Sequence, residues 1–382
     1  MNWVPRVASG ETALDPERQE KAREHNCLSR RLLLLDVGTG IILLLALLFT
    51  GASAALAYWL SFPLPWAAAL YLLVLVVAYG VVMGPLSYYQ DFVLPRRYGL
   101  SNQNLRGWLR DRAKALALGL VLGLCLIIVI YWLMDWLPSL WWLATGFIIF
   151  LLSLLLTWLT PTLIIPLFFK LKPLEDGEMK ERLAKLAKST GIHIKDVFTM
   201  NLSSKSTTAN AMLTGWGRSR RIILSDTLLQ GYSAEEIEVT LAHELGHHLH
   251  HDVAKLMAIH ALAFLLAFYL ADLALKAGVV LFSFQGINDL AALPCLILIL
   301  AMLFVALQPL LNWYSRHIEL EADRAALELS NNPQAFVSLM TKLTNQNLQQ
   351  AEPSHWAKLL FYDHPSYGER VILARDYGQK SS

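Results

Sequence analysis

Six apolar runs, at 33–60, 66–89, 115–137, 140–169, 253–284 and 290–314, are each long enough to cross a bilayer as a helix, which takes about 20 residues. Backbone inside hydrocarbon must satisfy its own hydrogen bonds, so runs of this kind fold as helices. The expectation is a mainly α, polytopic membrane protein. Composition agrees, since 55% of the 382 residues are hydrophobic and only 16% charged, outside the soluble norm. The first run follows a charged tail and is too long for the apolar part of a signal peptide, so it reads as a retained anchor.

Lys and Arg set the orientation. The tail carries Arg6, Arg18, Lys21, Arg23, Arg30 and Arg31, and the loop near 90–114 carries Arg96, Arg97, Arg106, Arg110, Arg112 and Lys114. The turns "SFPLPW" and "MDWLPS" hold neither residue type. The positive-inside rule then puts both termini, the 90–114 loop and the 170–252 segment on the cytoplasmic side, and a bacterial inner membrane is the expected setting. With a net charge of +2 and basic residues confined to loops beside spans, a nucleic-acid partner is excluded. Cys27, Cys125 and Cys295 form neither a disulfide framework nor a CxxC metal site.

The expected division is a polar tail at 1–31, four spans within 32–169, a polar segment at 170–252, two spans within 253–314 and a second polar segment at 315–382. In 170–252, "EMKERLAKLAKST" reads as a helix closed by Gly191. "DVFTMNL", "TTANAMLTGW" and "RRIILS" read as a small antiparallel ribbon. "GYSAEEIEVTLAHELGHHLHH" reads as a helix capped by Ser233, with Glu236 completing a capping box, running through its histidines towards the fifth span. After the sixth span, Asn331, Asn332 and Pro333 end one helix and an amphipathic one follows.

That capped helix holds the stretch "LAHELGHHLHHD" at 241–252. His243 and His247 are four apart, so their rings share one helical face and suit one Zn²⁺ per chain. Glu244 sits beside the first ligand position, where a general base belongs. A third ligand is expected from "SRHIELEAD" at 315–323, where the sixth span returns to the same side. Glu319 and Asp323 share a face, Glu319 as the ligand and Asp323 as hydrogen-bond acceptor for a ligand histidine. Glu321 faces elsewhere. His248, His250 and His251 read as interfacial or solvated residues.

"HELGH" followed by "SRHIELEAD" resembles the M48 zinc metalloproteases, and the Ste24 branch is the nearer likeness. "FVLPRRYGLSNQNLRGWLRD" at 92–111, "IPLFFKLKPLEDGEMKERLAKLA", "TTANAMLTGWGRSRRIILSDTLL" and "DHPSYGERV" also resemble that branch, in the same order. The resemblance departs at the N-terminus, where Ste24 enzymes usually have seven spans and six are counted here. It implies a zinc endopeptidase with a small α+β catalytic domain at the cytoplasmic face, acting on peptide or membrane-protein substrates at the lipid bilayer. It further implies His364, with Arg370 beside it, as a donor to the tetrahedral oxyanion. It places Asn210 and Ala211 at the strand edge that holds the substrate. The competing readings are a quality-control protease of the HtpX kind, a catalytically silent zinc-stabilised scaffold, and a zinc transporter. Glu244 argues against the scaffold, and ligands at the membrane boundary instead of mid-membrane argue against the transporter.

Overall fold

The computed structural model describes residues 13–60, 62–215 and 220–380; Arg6, Ser61 and Trp216 lie outside them. Six helices are long and apolar enough to cross a membrane. In chain order they begin with α1 (Pro16–Phe49), followed by the short α2 (Ala52–Trp59), then α3 (Leu64–Arg97), α4 (Leu105–Trp136) and α5 (Trp141–Phe168). Side chains such as Leu34, Ile42, Val81, Val121, Leu262 and Val280 stand exposed along these helices, a surface that only lipid covers at low cost.

Two expectations change at the N-terminal end. The stretch read as a tail is helical from Pro16, started by Asp15, whose side chain accepts from Glu17 N at 2.9 Å. Its charged turns lie on the far end of the chain, where Arg18 Nε donates to Asn345 O at 2.9 Å and Asn26 Nδ2 to Leu348 O at 3.1 Å. The first span breaks at Gly51, which takes φ +75°, a conformation glycine adopts without steric cost. The break tips α2 inward, and Ser53 Oγ donates to Ala291 O at 2.6 Å.

After α5 come β1 (Leu171–Pro173), α6 (Glu178–Ser189), β2 (Asp196–Met200), β3 (Ala211–Thr214) and β4 (Arg221–Ser225). They form one sheet in the order β1-β2-β4-β3. The expectation of a purely antiparallel ribbon is corrected: β3 pairs antiparallel with β4, but β4 runs parallel to β2. The reason is the connection through 201–210, which carries the chain across so that the β3–β4 hairpin inserts its second strand against β2. Ile222, Ile223 and Leu224 make that central strand the core of the unit, and β3 is left as an edge.

The remaining helices are α7 (Asp226–Gly231), α8 (Ala234–Leu249), α9 (Asp252–Phe282), α10 (Leu293–Ser330), α11 (Pro333–Gln346), α12 (His355–Phe361) and α13 (Tyr367–Lys380). The capping box of α8 is formed, with Ser233 N donating to Glu236 Oε2 at 2.7 Å. The helix, expected to run through its histidines towards the fifth span, stops short of His250 and His251. It ends at Leu249, and His251, at φ +56°, turns the chain before α9 begins.

Candidate active site

Helices α8 and α10 cross at close range because of one glycine. A Cβ on Gly246 would stand 2.9 Å from Ala325 Cβ and 3.1 Å from Ala322 O, too close for any other residue without a shift of one helix. The crossing sets the histidine face of α8 against the acidic face of α10. His243 Nε2 lies 3.4 Å from Glu319 Oε2, and His247 Nε2 lies 3.5 Å from Glu319 Oε1. One ligand atom from each of His243, His247 and Glu319 falls within a 4.8 Å group.

The far nitrogens face carboxylates. His247 Nδ1 is 3.0 Å from Asp252 Oδ2, so its proton belongs there and the Nε2 lone pair points at Glu319. His243 Nδ1 is 3.0 Å from Asp323 Oδ1, close but not aligned as a hydrogen bond. Burial works against a charge on His243, yet the Asp323 and Glu319 carboxylates beside the ring outweigh it and raise the ring to about 10. The field at this spot therefore favours a cation. Glu319 Oε2 is buried and accepts no hydrogen bond, an open acceptor of a kind native structures rarely leave. Two imidazole nitrogens, one carboxylate oxygen and that open acceptor fit a metal ion with a fourth position free for water.

Glu244, next to His243 on α8, accepts from Leu213 N of the edge strand β3 at 3.2 Å. Burial pushes its carboxyl up, against the lowering charges of His243 and His247. One turn on, His248 Nε2 stands 3.3 Å from Leu213 O. Both outward-facing backbone groups of Leu213 are thus held by the helix that carries the histidines. Sequence reasoning left His248 as a solvated residue, and the structure places it on the strand instead. It also missed Asp252, because a helix unbroken through 249–252 would have aimed that residue away from His247. The signal was an acidic residue five positions after a candidate ligand histidine.

His364 Nε2 is 3.5 Å from Glu319 Oε1, and its ring is half-exposed at the mouth of the site. A hydrogen bond with Asp363 at 2.8 Å leads the causes that raise it. Arg370 stands across the same carboxylate, its Nη2 3.8 Å from Glu319 Oε2, and its charge works to lower His364. Its guanidinium also grips Asp323 with two bonds, Nε to Oδ2 at 2.7 Å and Nη2 to Oδ1 at 2.6 Å, so it anchors that carboxylate as well. Glu321 faces away, towards Lys255 at 3.7 Å and His317 at 3.6 Å. Ala211 opens the edge strand β3. Asn210 turns its backbone inward, its N–H on Ser225 Oγ at 2.9 Å, and its side chain is exposed.

Comparison with known proteins matches this geometry to a family. The model of peptidase family M48 covers residues 173–377, and that of the CAAX prenyl protease N-terminal region with five membrane helices covers 2–170. The metalloprotease YhfN of Bacillus subtilis is 29% identical over 96% of this chain and 89% of its own. The CAAX prenyl protease 1 homolog of Oryza sativa is 33% identical over 78% of this chain and 70% of its own. The crystal structure of S. mikatae Ste24p superposes with a TM-score of 0.84 at 25% identity, covering 97% of this chain and 91% of that one. The chain belongs to peptidase family M48 and is a multi-pass membrane metalloendopeptidase of the Ste24, CAAX prenyl protease-like kind.

Proposed function

We propose that this metalloendopeptidase is zinc-dependent, with His243, His247 and Glu319 as ligands and Glu244 as general base. The observation that carries the reading is the convergence of the three ligand atoms within 4.8 Å around the open Glu319 Oε2. When bound there, zinc supplies Lewis acidity, which acidifies water and polarises a carbonyl. Glu244, raised by burial, takes a proton from the attacking water and returns it to the leaving amine. The peptide lies extended along β3, adding itself to the sheet at Ala211, with the exposed Asn210 side chain beside it. His364, at the mouth, donates to the oxyanion. Asp323, Asp252 and Arg370 hold the ligand rings in place.

In this reading 170–252 and 315–382 act as one catalytic unit, and the two spans between them fix it to the membrane. The Lys/Arg-rich connections all fall on that side, so the substrates are proteins or peptides associated with the cytoplasmic face of the membrane. The HtpX-like and scaffold alternatives have no observation in their favour. The test is Glu244→Gln: zinc should stay near one equivalent while hydrolysis falls by roughly 10²–10⁴-fold or more. Hydrolysis at the wild-type rate with zinc bound would sink the mechanism. Proteomics of membrane fractions holding either protein would then name the substrates.

A further inference from the structure

Away from the site, a cavity of about 460 Å³ opens between the start of α4, the end of α5 and the chain at 201–205. Its wall carries Arg110, Lys114, Lys170 and Lys205, with Asp111 as its one carboxylate. Two of these cations are committed. Lys205 Nζ meets Asp111 Oδ2 at 2.5 Å and Phe168 O at 2.6 Å. Lys114 Nζ donates to Leu167 O at 2.7 Å and is 3.9 Å from Asp111 Oδ1. Both close the carbonyl end of α5. The Arg110 and Lys170 side chains are exposed and have no hydrogen bond or ion pair among the described residues. The N-terminal end of α4, capped at Asn104, adds its positive dipole end. The nearby Asp91 is taken by Arg112 at 3.1 Å.

The cavity's height in the fold narrows the anion it suits. The apolar run of α4 begins one residue after Lys114, and that of α5 ends one residue before Lys170, so the cavity straddles the boundary between lipid and water. A ligand there is offered positive charge on one side and hydrocarbon on the other. We propose that this cavity seats the phosphate headgroup of an anionic phospholipid from the leaflet on the catalytic side, with Arg110 and Lys170 as its contacts.

The occupant would act on more than its own seat. The 98–104 loop is bonded to the chain that leads into β3: Asn102 N donates to Lys205 O at 3.0 Å, and Thr207 N to Leu100 O at 3.2 Å. A headgroup wedged against 201–205 steadies that segment and so lowers KM. This consequence rests on β3 being the docking edge for the peptide; the lipid seat does not.

The test uses the full chain purified in detergent, with native mass spectrometry counting retained phosphatidylglycerol and phosphatidylcholine. Wild type should keep phosphatidylglycerol in preference. Arg110→Gln with Lys170→Gln should weaken that retention about 30-fold, ~1 kcal/mol for each cation removed. Arg97→Gln with Arg106→Gln, the same charge lost from the same region but off the cavity wall, should leave it intact. Equal loss from both pairs would overturn the seat in favour of diffuse surface charge. Displacement by soluble glycerol 3-phosphate at lipid-like concentrations would overturn the lipid as ligand. Hydrolysis in vesicles with and without phosphatidylglycerol is the second readout. A fall in KM with phosphatidylglycerol, absent in the Arg110/Lys170 pair, is expected, whereas retention does not depend on catalysis and reports on the seat alone.

Discussion

Two buried carboxylates in neighbouring parts of the same helical array are treated in opposite ways. Asp272, inside the membrane on α9, has one oxygen on Trp141 Nε1 at 2.7 Å and the other on Lys276 Nζ at 2.6 Å. Glu319, where α10 leaves the membrane, has three histidine nitrogens at 3.4–3.5 Å, the Arg370 guanidinium at 3.8 Å, and an oxygen that accepts no hydrogen bond. A carboxylate with both oxygens met is a fastener between helices. One with an oxygen left open among imidazole nitrogens is an arrangement that suits a metal ion. The apolar surroundings raise the stakes equally in both places, so the difference lies in the partners.

The largest break in this contrast comes from Glu319→Ala. It should cost metal and activity together, hydrolysis falling by roughly 10³-fold or more, with helical content kept. Metal analysis beside a peptidase assay checks it. Glu321→Ala, two residues on and paired with Lys255 and His317, is the control that should retain metal. The reverse pattern would move the third ligand to the other face of α10.

A smaller loss is expected from Asp323→Ala. Metal affinity should fall by about 10–100-fold, as loss of a partner behind a ligand histidine does. The protein should also become less stable, by about 3–5 kcal/mol, since the buried Arg370 guanidinium would lose its counter-charge. Asp323→Asn should recover part of the stability and little of the affinity. Equal metal affinity in wild type and Asp323→Ala would show that His243 is oriented by helix packing alone.

Why the proposed third ligand, Glu319, could be placed from sequence and the residues behind the histidines could not follows from range. His243, Glu244 and His247 stand in one helix, and Glu319 and Asp323 in another, so helical spacing sorted each set onto a face. Six apolar runs then brought the two helix ends to the same side. Asp252 lies beyond a left-handed residue, His251, and no period survives such a break. Arg370 reaches Asp323 across 47 positions, where the sequence carries charge but no direction. The parallel pairing of β2 with β4 was hidden for a related reason: strand composition fixes which residues extend, while the crossover that orders them depends on the whole sheet. Gly246 was visible inside "HELGH", but its need became physical only when Ala322 and Ala325 stood against it.

At the membrane end of the contrast, Asp272→Ala should leave the metal and kcat alone. Trp141 Nε1 would lose its acceptor in the membrane, at a cost of about 1–3 kcal/mol, read as a lower thermal midpoint in detergent. A fall in kcat at unchanged stability would mean that this fastener also serves the catalytic end.

The last prediction alters neither stability nor rate, but it fixes which aqueous face the open carboxylate sees. Ser225, a natural choice for a reporter on the catalytic segment, is fully buried, its hydroxyl receiving Asn210 N and Leu228 N at 2.9 and 3.2 Å. Glu175, before α6, is exposed, and so is Ser139, in the turn between α4 and α5. With Cys27, Cys125 and Cys295 replaced, Ser139→Cys should react with an impermeant thiol reagent on intact cells, and Glu175→Cys should react only after the cells are opened. Lys and Arg crowd the connections on the Glu175 side and are missing from the turn that holds Ser139, and such bias is held towards the cytoplasm. Reaction of Glu175→Cys on intact cells would carry Glu319 and its histidines to the outer face, since α10 returns to the same side as α6. Cytoplasmic substrates would then be excluded, while the contrast between the paired and the open carboxylate would stand unchanged.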